Sequence, residues 1–135
     1  MSEQASFLEN FKAGFGYGNA AFNDGDVDSA FSAIPEGIEF HPPAETGEGP
    51  FPDKRSWRDF LDRMLERHGQ WRVEPREFSH PRADVVLIRT EVSGGPSLPV
   101  SGEIWQVWEF DDGVVTRIRE FSDRSAALDA VEIAE

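Results

Sequence analysis

The chain has 135 residues, 26 acidic side chains against 13 Lys plus Arg, a formal net charge of −13, and no cysteine. That length suits one domain, 1–135, able to bury roughly two-thirds of the surface its unfolded chain exposes, so no covalent staple is needed. The missing cysteines exclude a disulfide framework, a thiolate metal site and a cysteine nucleophile, and they suit a reducing cytosol. The acid excess argues against nucleic-acid and membrane-surface partners.

The first residues have no basic segment followed by an apolar one, so no signal peptide is expected and a cytoplasmic location is. The longest strongly apolar run, 85–88, is far too short to cross a bilayer.

In chain order, Phe7, Phe11, Phe15 and Phe22, with Leu8, fall on one helical face, and Asn23-Asp24-Gly25 ends that helix. Asp26 is an N-cap for a short second helix carrying Val27, Ala30, Phe31 and Ile34, stopped by Pro35. A strand is predicted at 37–41, then an irregular loop at 42–52, too rich in Pro and Gly for regular structure. Trp57, Phe60, Leu61, Met64, Leu65 and His68 mark a third helix, capped at Asp53 or Ser56 and closed by Gly69.

From Trp71 the period becomes two, predicting strands at 71–79, 83–93, 98–110 and 113–122. Gly94-Gly95-Pro96 separates the second from the third, and Asp111-Asp112-Gly113 is a hairpin turn. A short last helix holds Ala126, Ala127, Leu128 and Val131. Helices first and strands later argue α+β. Strands 83–93 and 98–110 are apolar on both faces. One face meets the helices; the other calls for a second cover, which predicts a homodimer.

Gly14, Gly16 and Gly18 do not form a phosphate loop, since no strand precedes them and no Lys-Ser/Thr follows. Gly14 and Gly18, four apart on one helix face, each cost a helix roughly 1 kcal/mol relative to Ala, so room is wanted there, for close packing or for a ligand. His41, His68 and His80 show no metal-ligand spacing, so no metal or other cofactor is expected.

The segments 19–26 (NAAFNDGD), 38–42 (IEFHP) and 107–124 (VWEFDDGVVTRIREFSDR), with Ala127-Leu128, resemble the SnoaL-like branch of the NTF2-like superfamily. The resemblance spans nearly the whole chain. It implies a cone-shaped α+β barrel, its curved, mostly antiparallel sheet wrapped by about three N-terminal helices, commonly dimeric, with a pocket on the concave face. Relatives include polyketide cyclases and ketosteroid isomerases, epoxide hydrolases and proteins without catalysis, so the fold alone does not decide function.

By the same resemblance, His41 falls where the isomerases place a carboxylate base, and a histidine can move a proton near neutral pH. Glu103 matches the position of their protonated oxyanion donor. Arg117 and Arg119 would face the pocket, paired with Glu103 or binding a ligand oxygen. Gly18 stands where the isomerases carry a tyrosine, with Tyr17 one residue away. Trp57, Phe60 and Met64, with Trp105 and Phe121, would form an apolar wall. Structural readings compete throughout: a strand-exit His41, a rim Glu103, an internal Arg117/Arg119 ion pair, and aromatics that are simply core.

Three functions remain open. One is a cofactor-independent acid–base enzyme (isomerase, cyclase or hydratase-like) acting on a small hydrophobic or oxygenated molecule. The others are a ligand-binding module and a structural dimer. The loop 42–52 would border the pocket mouth and gate entry.

Overall fold

The computed structural model describes residues 3–94, 98 and 101–133. Helix α1 (Glu3–Asn23) runs to the Asn-Asp-Gly break, and α2 (Val27–Phe31) follows. Asp26 caps α2, its carboxylate accepting from the Ser29 amide at 3.1 Å. Strand β1 (Glu39–His41) leads through a 3-10 turn (Ala44–Thr46) to α3 (Lys54–His68). Of the two predicted caps of α3 it is Asp53 that acts. It accepts from the Ser56 amide at 2.9 Å, and the Ser56 hydroxyl accepts from the Asp53 amide, completing a capping box. Gly69, at φ +78°, ends α3 in a conformation that disfavours any side chain.

Four long strands follow: β2 (Trp71–Arg82), β3 (Val85–Gly94), β4 (Gly102–Asp111) and β5 (Val114–Phe121). Of the predicted separator after β3, Gly95 and Pro96 lie outside the described residues, as do Pro99 and Val100 at the predicted start of β4. Asp112 and Gly113 both have positive φ, the signature of a tight two-residue hairpin, and join β4 to β5. Helix α4 (Arg124–Ile133) closes the described chain.

The α+β class stands, but the cone-shaped barrel does not. The five strands form an open sheet in the order β1–β5–β4–β3–β2, neither closed nor strongly curled. Its edges, β1 and β2, are not paired with each other, and β1 is only three residues long. The sheet is mixed: β1 runs parallel to β5, and the other pairs are antiparallel. The predicted short last helix is present as α4. While α1 and α3 stand over one face, α4 packs on the other, where Ala127, Ala130 and Val131 cluster with Val85, Leu87, Trp105 and Val107. The cover that the two-sided apolar strands demanded, and on which the predicted homodimer rested, is therefore supplied over these residues by the chain's own last helix.

The β2 edge contains Pro75 and Pro81, which a central strand would not tolerate. Helix α1 guards it. Asn23 receives the Val73 amide at 2.9 Å and donates to the Val73 carbonyl at 2.8 Å, while Asn19 donates to the same carbonyl at 2.9 Å. Two amides one helical turn apart thus clamp α1 to the sheet edge and satisfy backbone groups that an edge leaves open.

Candidate functional site

Strand alternation and register decide which side chains look where. Phe40 packs with Phe60, Met64, Ile38 and Ile118 in the cluster beneath α3. Its register partner is Ile118, and Ile118 in turn sits opposite Trp108. With side chains alternating along a strand, this face carries Phe40, then Ile104, Gln106 and Trp108, then Ile118 and Glu120.

Between this face and helices α1–α3 lies a cavity of about 530 Å³. Its walls are aromatic. Trp57 stacks on Phe40 with ring centroids 4.3 Å apart and meets Phe31 edge-on at 4.8 Å. Across the cavity Trp108 meets Phe11 at 5.1 Å and Phe15 at 5.7 Å, both edge-on. Phe11, Phe15 and Phe22 line the cavity and are only partly buried, because α1 spans it instead of settling onto the sheet. Gly14 lines the cavity with nothing within 4 Å of the position a Cβ would take. At Gly18 a Cβ would lie 3.3 Å from the Ala30 carbonyl. Of the two reasons for room in α1, Gly18 thus serves the close approach of α2, while Gly14 leaves the cavity empty space.

One ionisable side chain stands out. Glu120 lines the cavity and, among the described residues, is the one it shares with a smaller cleft, about 220 Å³, between the 44–46 turn and the start of α4. Gln106 Nε2 donates to Glu120 Oε2 at 2.9 Å, and the Trp108 indole N–H donates to Gln106 Oε1 at 2.8 Å. The indole, which can only donate, sets the Gln106 amide so that its NH₂ faces the carboxyl. Burial pushes the Glu120 carboxyl up to about 7, against the opposing effect of the Gln106 hydrogen bond. With Oε2 held by Gln106, Oε1 has no protein hydrogen bond among the described residues. A carboxyl poised near neutrality beside an apolar cavity can accept or donate a proton there.

The residues singled out from sequence divide. Tyr17, Gly18, Trp57, Phe60 and Met64 line the cavity, with Tyr17 largely exposed. His41, Glu103, Arg117, Arg119, Trp105 and Phe121 do not. His41 follows Phe40, so alternation turns it to the opposite face, where its ring meets Glu39. Arg117 and Arg119 share that face. Arg117 Nε donates to Glu109 Oε2 at 2.9 Å and Arg119 Nε to the same oxygen at 2.8 Å, while Arg119 Nη2 reaches the Ala130 carbonyl at 3.2 Å. The Glu109 hydrogen bonds raise the Arg117 guanidinium above its ordinary value against the effect of burial. The arginines' carboxylate is therefore Glu109, not Glu103. Glu103 is exposed, takes the Trp105 indole N–H at 2.9 Å and lies 3.5 Å from Arg89. Trp105 belongs to the core under α4, with Phe121 packed against it.

The loop after β1 does border the cavity, through Pro42, Pro43 and Thr46. It is anchored where it returns: Phe51 exchanges backbone hydrogen bonds with Phe40 at 2.8 and 2.9 Å. Among the described residues no three His, Asp or Glu side chains group as a metal site, and no helix is long and apolar enough to cross a membrane.

The SnoaL-like domain profile matches residues 17–118. The chain belongs to the SnoaL-like family. Solved structures share its fold. TerC, crystallised with polyporic acid, is 22% identical, with 97% of this chain and 99% of that one covered and a TM-score of 0.66. An NTF2-like protein of unknown function from Burkholderia pseudomallei is 15% identical over 99% and 98% of the two chains, with a TM-score of 0.65. IdmH from Streptomyces antibioticus, a candidate polyketide cyclase, is 17% identical over 98% and 100%, with a TM-score of 0.62. No curated protein sequence matches the chain.

Proposed function

We propose that this SnoaL-like protein is a cofactor-independent acid–base enzyme that binds a small, largely apolar, oxygenated molecule, with Glu120 as the proton-transfer group. The observation that carries this reading is the raised carboxyl of Glu120 at the wall of an aromatic cavity. A general acid–base works best with a pKa near the operating pH, and burial brings a glutamate there. Gln106 and Trp108 are positioning residues: they hold Oε2 and leave Oε1 to exchange a proton with a bound carbonyl, enol or hydroxyl. Isomerisation, aldol-type cyclisation and hydration all need this step. The role first considered for His41 passes to Glu120, because His41 lies on the other face of the sheet.

A thermal-shift screen of neutral oxygenated aromatic and polycyclic compounds is the first test, since a ligand of the folded state raises stability by mass action. For a compound that is turned over, Glu120→Gln should slow turnover by roughly 10²- to 10⁴-fold and change affinity only a few-fold. Unchanged turnover in that variant would overturn the assignment. Binding without turnover is the second reading. It is favoured by the lack, among the described cavity residues, of another carboxylate or a histidine to share the proton work. Under that reading no ligand from the screen is converted by the wild type.

A further inference from the structure

The cavity has a sign as well as a shape. Among its described lining residues there is one carboxyl, Glu120, and no lysine, arginine or histidine. The residues outside the description, 1–2, 95–97, 99–100 and 134–135, include none of these three types either. Nearby cations are engaged elsewhere. Arg117 and Arg119 bind Glu109 on the far face, Arg58 binds Asp28 and Asp62, and Arg63 binds Glu48. Lys12 lies 5.6 Å over the Phe78 ring and 3.8 Å from Glu9.

The groups facing Glu120 add no compensation. Gln106 on β4 is a neutral amide, α3 presents Trp57, Phe60, Leu61 and Met64, and α1 presents Asn10, Asn19 and the phenol of Tyr17 beside apolar side chains, none of them a cation. The adjoining cleft carries two more acids, Glu45, bound to Ser122, and Asp123. A whole-chain charge of −13 has the same sign.

We propose that the cavity selects uncharged oxygen-bearing ligands and rejects organic anions, with Glu120 as the residue that enforces the choice. The proposal deepens the reading above and rests on the cavity being a ligand site. A carboxylate entering it loses water, meets no cation and, once Glu120 is ionised, faces a like charge across a medium of low dielectric. A ketone or ester brings only an acceptor, which protonated Glu120 can satisfy. Selection of this kind works by penalising the wrong ligand. The same balance makes neutral-ligand affinity depend on pH. It is higher where Glu120 is protonated and a donor, and lower where it is ionised and can only accept.

The test uses two probes of nearly equal shape, 2-acetylnaphthalene and 2-naphthoate. Binding is followed by NMR through the Trp108 indole and Gln106 side-chain amide resonances, at pH 6 and pH 8. At pH 8 the ketone should bind at least tenfold more tightly than the carboxylate, and Glu120→Gln should narrow that gap to under threefold. Raising the pH from 6 to 8 should weaken ketone binding several-fold in the wild type and leave it unchanged in the variant. Glu120→Ala serves as a second variant if the amide does not fold. A wild-type gap under threefold, or a gap that neither variant changes, overturns the selection. Failure of both probes to bind at either pH overturns the cavity's role as a ligand site as well.

Discussion

The two faces of β5 hold ionisable groups under opposite regimes. Toward α4, Arg117 and Arg119 are paired with Glu109, a carboxylate on the neighbouring strand. Toward the cavity, Glu120 has an amide and no cation. The first arrangement is a brace, with every charge answered inside the protein. The second leaves a carboxyl whose ionised form is answered only in part, and so it titrates near neutral pH. Adjacent residues on one strand thus separate structure from chemistry: a fully paired group has little reason to react, and a half-satisfied one does.

The brace is where substitution should cost most. Glu109 has only 13% of its side chain exposed, as Arg119 has 14%, and it answers both arginines. Glu109→Ala leaves two partly buried guanidinium groups without their carboxylate. A loss of about 3 kcal/mol is expected, the low end for breaking a buried pair because Arg117 remains partly hydrated. Urea denaturation reads it directly; a loss below about 1 kcal/mol would mean that water, not Glu109, satisfies the arginines.

The cavity face predicts a pH effect instead. Glu120 has its carboxyl raised from 4.5 to about 7 in the folded state, so between those values the native protein binds more protons than the unfolded chain. Stability on its account is fully present below about pH 4.5 and is lost as pH rises through 7. The loss amounts to about 3 kcal/mol, from the standard conversion of a pKa difference. Many other acids titrate in this chain, so the measurement is the difference between wild type and Glu120→Gln at each pH. Wild type should fall relative to the variant between pH 5 and pH 8; parallel curves would show that the carboxyl is not held up by burial.

The sequence carried the elements well and the faces poorly, for a physical reason. Period, caps and turn residues are local, so α3, the Asp112-Gly113 hairpin and the four long strands were legible to within a few residues. Which set of alternating side chains points inward is a non-local fact. On β4, Ile104, Trp108 and Phe110 compete with Trp105 and Val107, and apolarity cannot choose between them. Resemblance turned the arginines inward. A signal for the other choice was nonetheless present in β1, where Ile38 and Phe40 alternate with Glu39 and His41. An inward Phe40 turns His41 outward, and once β1 pairs with β5, Phe40 opposite Ile118 brings Glu120 in with it. That pairing joins residues almost eighty positions apart, which no local pattern contains. The barrel expectation failed for the same kind of reason, since closure depends on whether two edge strands meet.

The smallest effect probes the cavity face from its helical side. Gly14 lies inside α1, with open space where a side chain would begin, whereas Gly18 is pressed against the α2 backbone. Gly14→Ala should therefore stabilise the fold by about 0.5–1 kcal/mol, because alanine restricts the unfolded chain and favours the helix at no steric cost. Gly18→Ala gains the same propensity but must push the Ala30 carbonyl by a few tenths of an ångström, so its net change should be smaller or reversed in sign. Thermal unfolding of the two variants side by side makes the contrast. If both stabilise equally, α1 and α2 are not in close contact at Gly18. If Gly14→Ala stabilises and also weakens ligand binding, glycine is kept at 14 for the volume it leaves in the cavity, against the preference of the helix that contains it.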